Sequence, residues 1–349
     1  MNTLNYIGCK HSLSKKILDN FQNCVPDCKE KSFMDLFAGT GTIGFNSLSL
    51  FRTVSANDWE YYSYVINTAL ISVPFTDTLA KKIEECNVLE PVKGFIYTEL
   101  APHSEEAGCE NRMFFTVDNA KKADAIRQYL NKEKDKGYID EKEYLYLLAS
   151  LLTSIDKVAN TTSVYGSFLK KFKASARKPL QMVPIHTRRD IPHKDNHVFH
   201  GKAEDIQSYY DVVYLDPPYN QRQYAANYSP LNFIAEYNSE YKIKGKTALL
   251  EGYNKSDFCS KTKVKNAFEI LLKSLNTKYI FLSYNNEGIL SMDVLQEILL
   301  AKGDVTLYTI PYKKYKSNSN ESSTDTVYEY LWFIDTTVKK KPGNFTACL

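Results

Sequence analysis

Long apolar runs are missing from this chain of 349 residues. None approaches the roughly 18 residues of a membrane span, which excludes transmembrane helices. A secretory leader is missing too. Met1 to Asn20 scatters Lys10, His11, Lys15 and Lys16 where a leader would set a charged head before an apolar stretch, so the expected location is the cytoplasm. Paired cysteines are absent: the seven (Cys9, Cys24, Cys28, Cys86, Cys109, Cys259 and Cys348) are odd in number and form no CxxC, which disfavours a disulfide framework or a four-cysteine zinc site and predicts reduced thiols. An excess of one charge is also lacking. Lysine and arginine number 44 against 41 acidic residues, a net +3, so any nucleic-acid footprint has to be local. No internal repeat or low-complexity block occurs. What remains is a globular composition, 43% hydrophobic and 24% charged, long enough for about two domains at roughly 150 residues each. The 26 tyrosines and 18 phenylalanines offer flat faces that can stack on bases, although most are expected in the core.

The chain divides by pattern. A short apolar strand from Ser32 to Phe37 enters a glycine turn, a helix is expected from Phe45 to Phe51, a second strand from Thr53 to Ala56 ends at Asn57-Asp58, and a helix follows from Trp59 to about Ile71. This is the opening of a doubly wound α/β sheet. The charge-rich segment Lys121 to Glu143 reads as a solvated helical hairpin, and Tyr144 to Val158 as a buried helix. Lys170 to Arg189 then carries Lys170, Lys171, Lys173, Arg177, Lys178, Arg188 and Arg189 without one acidic residue, a local phosphate grip or an ordinary solvated loop. Strand signals return at Asp211–Leu215 and Lys278–Ser283. Those at Val305–Ile310 and Val327–Ile334, separated by the polar loop Ser317 to Thr326, fit an antiparallel hairpin at a sheet edge. The expected architecture is one sheet domain, residues 1–75 and 196–349, interrupted by an insertion at 76–195.

Two motifs carry chemistry. Gly39-Thr40-Gly41-Thr42-Ile43-Gly44 matches G-x-G-x-x-G between strand and helix, with Asp58 about 20 residues on, so a nicotinamide dinucleotide site has to be weighed. Asp35 shifts the balance. Four residues before the first glycine, its carboxylate suits a ligand amino group and repels a diphosphate. Asp58 suits the two hydroxyls of a ribose. The second motif is Asp216-Pro217-Pro218-Tyr219 at a strand end, where open α/β sheets place their chemistry. Two prolines stiffen the turn and donate no backbone hydrogen bond, so it offers a carboxylate and carbonyl oxygens beside an aromatic face. Such a pocket fits a planar ring bearing an exocyclic NH₂. Asn160 to Gly166 reads equally as a nucleic-acid contact or as a turn with a packed tyrosine, and Ser283-Tyr284-Asn285-Asn286 as a pocket wall or a plain strand end. His186, His193, His197 and His200 lack a zinc spacing, as does Cys24-x-x-x-Cys28, and no metal is expected.

Asn5-Tyr6-Ile7-Gly8-Cys9-Lys10, Asp35-Leu36-Phe37-Ala38-Gly39-Thr40-Gly41, and Asp216-Pro217-Pro218-Tyr219 followed by Asn220-Gln221-Arg222-Gln223-Tyr224 together resemble the alpha-group adenine-specific DNA methyltransferases, the Dam-like family. The resemblance covers residues 1 to about 72 and about 196 to 335. It implies a Rossmann-like, S-adenosylmethionine-dependent methyltransferase sheet with an inserted, mostly helical target-recognition region. Tyr6 and Lys10 are implied to close over S-adenosylmethionine, Lys10 pairing with its carboxylate, Asp35 facing its ammonium and Asp58 its ribose, with Phe37, Gly39 and Gly41 lining the site. Asp216 lies where cofactor and target base meet. Lys202 departs from the pattern, standing about where an acidic adenine contact is expected. The implied reaction methylates the exocyclic N6 of an adenine rotated out of double-stranded DNA. Asp216 and the Pro217 carbonyl accept the amine hydrogens, Tyr219 stacks on the ring, and neither a metal nor a covalent intermediate is needed. Lys170, Lys171, Lys173, Arg177, Lys178 and Arg222 are the expected DNA contacts. A restriction endonuclease encoded nearby, not stably bound, is the expected companion, and the nucleoid the expected place of work. The same chemistry on RNA adenine or on cytosine N4, a nicotinamide oxidoreductase and a non-catalytic DNA-binding module are the competing readings.

Overall fold

Successive side chains of a strand point to opposite sides of its sheet, and the central strands here are apolar on both sides. The computed structural model describes residues 1–102, 111–190, 195–313, 326–338 and 345–348. Cys109, His193 and the polar loop from Ser317 to residue 325 lie outside the described residues. In β1 (Ser32–Asp35) Phe33 enters one buried cluster and Met34 the other. After β2 (Thr53–Asp58) and β3 (Val198–His200), β4 (Tyr210–Leu215) repeats the device, sending Val212 and Tyr214 to the first cluster and Val213 and Leu215 to the second. A small separate hairpin joins β5 (Ile243–Lys244) to β6 (Leu249–Leu250). With β7 (Thr277–Asn285), β8 (Asp304–Lys313), β9 (Thr326–Asp335) and β10 (Phe345–Cys348), the main sheet has the order β10-β8-β9-β7-β4-β1-β2-β3. Only β9 runs antiparallel to its neighbours.

The helices cover both faces. The first cluster packs under α1 (Ser14–Cys24), α2 (Thr42–Ser47) and α3 (Tyr61–Ser72). The next four helices in the chain are α4 (Asp77–Val88), α5 (Phe95–Leu100), α6 (Val117–Asp135) and α7 (Glu141–Lys157). The last four are α8 (Tyr224–Asn227), α9 (Ser229–Glu236), α10 (Val264–Ser274) and α11 (Met292–Leu300). Helices α10 and α11 cover the second cluster through Phe268, Leu271, Leu295 and Leu299. The chain is therefore α/β with a mostly parallel sheet, doubly wound about the β1–β4 pair. From that pair the order runs outward through β2 and β3 on one side and β7 on the other, which opens a crevice beyond the carboxyl ends of β1 and β4.

Helix α7 starts on a capping box in which Asp140 accepts from the Glu143 amide and Glu143 from the Asp140 amide. Every residue from Tyr144 to Asp156 is buried, as expected, and the helix packs on α3, joining the first cluster. The expected solvated hairpin before it is corrected. Ala123, Ile126 and Leu130 form an apolar stripe hidden among charges, so α6 buries one face and takes Asp124 and Arg127 with it. The β8–β9 hairpin forms, yet it is not the sheet edge, because β10 adds beside β8. Helix α2 begins at Thr42, ahead of the expected Phe45, because Gly41 in the left-handed region turns the chain straight into it. No helix among the described residues is long and apolar enough to cross a membrane.

Candidate functional site

The crevice holds about 1180 Å³ including its open mouth. Its lining brings together Tyr6, Lys10, Asp35, Phe37, Gly39, Asp58, Asp216 and Pro218 from segments far apart in the chain. The glycine turn forms its floor. Gly39 and Gly41 have φ of +50° and +75°, and a Cβ on Gly41 would stand 2.6 Å from Leu70 Cδ1, so the turn lies tight against α3 and Gly41 supports the lining without joining it. The turn is tied by Asp58, whose Oδ2 accepts from the Gly39 amide at 2.8 Å and whose Oδ1 accepts from the Glu60 amide at 2.9 Å. The Ser63 hydroxyl donates to the Gly39 carbonyl at 2.6 Å.

Asp35 ends β1 at 2% exposure. Its Oδ2 accepts from the Gly44 amide at 3.2 Å, while Oδ1 is buried with no hydrogen-bond partner. Burial above all, then the charge of Asp216, pushes this carboxyl well above its ordinary range. A buried carboxylate with an empty acceptor position is a place for a cationic donor, and the amino group of an amino-acid moiety meets that need.

Across from it, Lys10 Nζ lies 2.9 Å from Asp216 Oδ1 and 3.1 Å from Glu329 Oε1. Burial opposes the ammonium, but Asp216 and then Glu329 outweigh it and hold Lys10 protonated. Asp216 is pushed up to about 6, chiefly by burial, with Lys10 pulling down and Glu329 pushing up. The resemblance pairs Lys10 with the cofactor carboxylate; here its ammonium lies between two acids of the chain. Tyr6 stacks on Tyr228 at 4.4 Å and on Tyr224 at 5.4 Å between centroids, and its hydroxyl meets that of Tyr62 at 3.0 Å. A Cβ on Gly39 would meet the Tyr6 ring at 3.4 Å, so this ring leans over the glycine turn.

Pro217 is buried, and neither it nor Tyr219 belongs to the lining; the Tyr219 carbonyl accepts from the Ile289 amide at 3.0 Å. Ser283, Tyr284, Asn285 and Asn286 do not line the crevice either, since the Ser283 hydroxyl is spent on Tyr214 at 2.8 Å and Tyr284 packs in the second cluster. Sequence reasoning missed several residues. Trp59 and Asn57 line the crevice from the end of β2, and Lys202 sits over the Trp59 ring at 5.1 Å. Asn254 to Cys259 form another wall. Ser256 and Gln223 exchange hydrogen bonds at 2.8 and 3.2 Å, and Phe258 meets Phe37 edge-on at 5.2 Å. No motif marks this loop; its one signal is a phenylalanine amid polar residues. Glu329 was missed because it stands alone in an apolar strand.

The basic stretch lies outside the crevice lining. Lys170, Lys171, Arg177 and Lys178 are exposed, with no ion pair among the described residues. Lys173 instead donates to the Thr161 carbonyl, Arg188 pairs with Asp190 at 3.3 Å, and Arg189 with Asp77 at 2.6 Å. Arg222 is exposed beside the crevice loop. In Asn160 to Gly166 the packed turn is realised: Tyr165 is fully buried and donates to Asp156 Oδ1 at 3.0 Å. His186 is a core residue, with Nδ1 accepting from the Arg188 amide and Nε2 on the Ala69 carbonyl. The described cysteines are free thiols.

The sequence profile of the D12 class N6 adenine-specific DNA methyltransferase family matches residues 6–298. This chain belongs to that family. It is 40% identical over 344 residues to Type II methyltransferase M.NlaIII of Neisseria lactamica, covering 96% of this chain and 100% of that one. To Type II methyltransferase M.CviAII of Paramecium bursaria Chlorella virus 1 it is 36% identical, covering 96% and 99%. To Type II methyltransferase M.FokI of Planomicrobium okeanokoites it is also 36% identical, covering 95% of this chain and 52% of that longer one. The chain is thus an enzyme that transfers a methyl group from S-adenosylmethionine to the N6 amino group of adenine in DNA. The family assignment selects methyl transfer over hydride transfer, and DNA adenine over RNA or cytosine.

Proposed function

We propose that the crevice holds the methyl donor on its β1 side and an everted adenine on its β4 side. The supporting observation is that Asp35, with an unpartnered oxygen, and Asp216, an acceptor drawn up to about 6, line one cleft from adjacent strands. Asp35 takes the amino group of the donor, Asp58 its ribose, and Tyr6 covers it. S-adenosylmethionine supplies an electrophilic methyl on a positive sulfur, which takes back the C–S electron pair as the N6 lone pair attacks. Asp216 accepts one amine hydrogen, and the Pro217 carbonyl, set between the lining residues Asp216 and Pro218, is reached by the other as the base seats; together they localise a lone pair otherwise drawn into the ring, and the surplus proton leaves N6 through Asp216. Tyr219 stacks on the base. Residues 76–195 form the target-recognition region, with Lys170, Lys171, Arg177, Lys178 and Arg222 on phosphates; Lys173 is turned to structure by Thr161. The names of relatives such as Modification methylase StsI of Streptococcus sanguinis favour a companion restriction endonuclease of the same specificity.

Methylation-sensitive sequencing of DNA treated with the protein identifies the target site. An oligonucleotide carrying 2-aminopurine at the target adenine then tests eversion. Its fluorescence should rise on binding; an unchanged signal with binding intact removes eversion from the reaction.

A further inference from the structure

Glu329 is absent from every motif, yet it ends within 3.1 Å of the only lysine beside the Asp216 carboxylate among the described residues. It sits near the start of β9, opposite Asn285 of β7 and Ile310 of β8. Because β9 runs against the other strands, its first residues arrive at the sheet end where β4 and β7 finish, beside the crevice. Glu329, Leu331 and Phe333 share one face by the two-residue period, the face of the first cluster, and Glu329 is 5% exposed there. A carboxylate set into an apolar strand face is strongly disfavoured unless it is paired, and Lys10 is the partner.

We propose that Glu329 is a positioning residue for methyl transfer: it shares the Lys10 ammonium with Asp216, so that Asp216 keeps lone pairs for the target amine. Without Glu329, Lys10 has one carboxylate to satisfy and closes on it, competing with the base amine for the same oxygens. This inference rests on the reading of Asp216 as the amine acceptor. The groups facing Asp216 are Lys10 from the amino-terminal loop, Glu329 from β9, Asp35 from β1, Tyr214 from β4 and Tyr224 from α8. Of these, Lys10 favours the ionised form and Glu329 the protonated form, so removing the charge of Glu329 lowers the proton affinity of Asp216.

The test uses the full chain carrying Glu329→Gln, with Glu329→Asp as the conservative partner and Asp216→Asn as control. Two readouts are taken. One is the carboxyl carbon titration of Asp216 in ligand-free protein labelled with carbon-13 aspartate, its signal assigned by its disappearance in Asp216→Asn. The other is kcat against pH at saturating donor and DNA. For Glu329→Gln the titration midpoint moves down by about one pH unit or more, the acid limb of kcat follows it, and the plateau falls roughly tenfold. Glu329→Asp lies between. A Glu329→Gln protein with the wild-type midpoint overturns the proposal, whatever its plateau. Should Glu329→Gln not fold, a wild-type midpoint and plateau in Glu329→Asp overturns it equally, because a shortened carboxylate no longer spans the same distance. If Asp216→Asn itself keeps full activity, the reading of Asp216 has failed. If Asp216→Asn is inactive while the midpoint stays in place, only the role of Glu329 has.

Discussion

The crevice and the basic loop solve opposite problems with the same chemical groups. In the crevice the fold buries charged side chains and leaves part of their bonding capacity open: Asp35 Oδ1 has no partner, and Asp216, Lys10 and Glu329 put two negative charges around one positive. In the basic loop no buried side-chain nitrogen or oxygen among the described residues lacks a partner, and the charges of Lys170, Lys171, Arg177 and Lys178 stay in water. Asn160, fully buried, donates to the carbonyls of Met113 and Leu169 at 3.0 and 2.9 Å and accepts from the Lys173 amide at 3.0 Å. Asn119 donates to Ala176 and Lys178 and accepts from Leu180, and Asn87 takes both backbone groups of Met182. Three asparagines thus pin the main chain of the loop while Lys170, Lys171, Arg177 and Lys178 project free. The difference follows from the ligands. A small donor and a single base can complete bonds left open in a cleft, whereas a phosphate backbone stays outside and is best met by charges on a rigid support.

If the crevice works by open acceptors, removing one of them has the largest effect. Asp216→Ala is expected to lower the transfer of labelled methyl to DNA by roughly a hundred- to ten-thousand-fold. The fold should stay intact, since Lys10 retains Glu329. Asp35→Asn keeps the shape and one acceptor for the Gly44 amide but removes the charge and replaces the open oxygen with an NH₂ group, and its Kd for S-adenosylmethionine, measured by calorimetry, should rise about ten- to a hundredfold, the loss of one charge-assisted hydrogen bond. An unaltered Kd would show that the open oxygen of Asp35 is a passive feature of the β1 end and would erase half of the contrast between the two regions.

The loop is tested from both of its parts. Changing Lys170, Lys171, Arg177 and Lys178 together to glutamine should weaken DNA binding and flatten the dependence of log K on log salt by about 0.9 for each phosphate that is no longer neutralised. A salt slope equal to wild type removes the stretch from the interface. Asn160→Ala leaves all four charges in place but removes the side-chain partner of three part-buried backbone groups, each with a penalty of up to about 1–3 kcal/mol. It should lower Tm and weaken DNA binding through a loosened loop. A normal Kd alongside a lowered Tm would show that the charges need no rigid support.

The sheet and its two chemical turns were legible in the sequence because local rules decide them. Apolar runs bounded by turn residues became β1, β2, β4 and β7, and Phe37 and Gly39 after β1, with Asp216 and Pro218 after β4, line the crevice. What was not legible depends on packing between distant segments. The stripe of α6 is spaced by charged residues that are themselves partly buried, so composition pointed to solvent where the fold chose burial. The wall from Asn254 to Cys259 is placed by Gln223, a residue more than thirty positions away. Glu329 gains its meaning only from the antiparallel entry of β9, which no single strand reveals. In the basic stretch the count of cations was visible but not their division, since Lys173, Arg188 and Arg189 are engaged by Thr161, Asp190 and Asp77.

One more acid of the crevice sharpens the contrast through stability alone. Glu60 is 7% exposed and accepts from Asn232 Nδ2 at 2.6 Å; burial first, then the charge of Asp58, pushes it from its ordinary 4.5 up to about 8. An acid whose affinity for its proton is higher in the folded than in the unfolded chain binds more protons when folded. Its contribution to stability is therefore most favourable below the unfolded value and declines as pH rises from about 4.5 to about 8. Asp216 adds the same sign between its ordinary 3.8 and about 6. Glu60→Gln keeps an acceptor for Asn232 and abolishes the titration, so chemical denaturation should find variant and wild type nearly matched at about pH 4, and the variant the more stable at about pH 9. Equal stability at both ends would mean that water or a neighbouring cation already compensates the buried charge of Glu60.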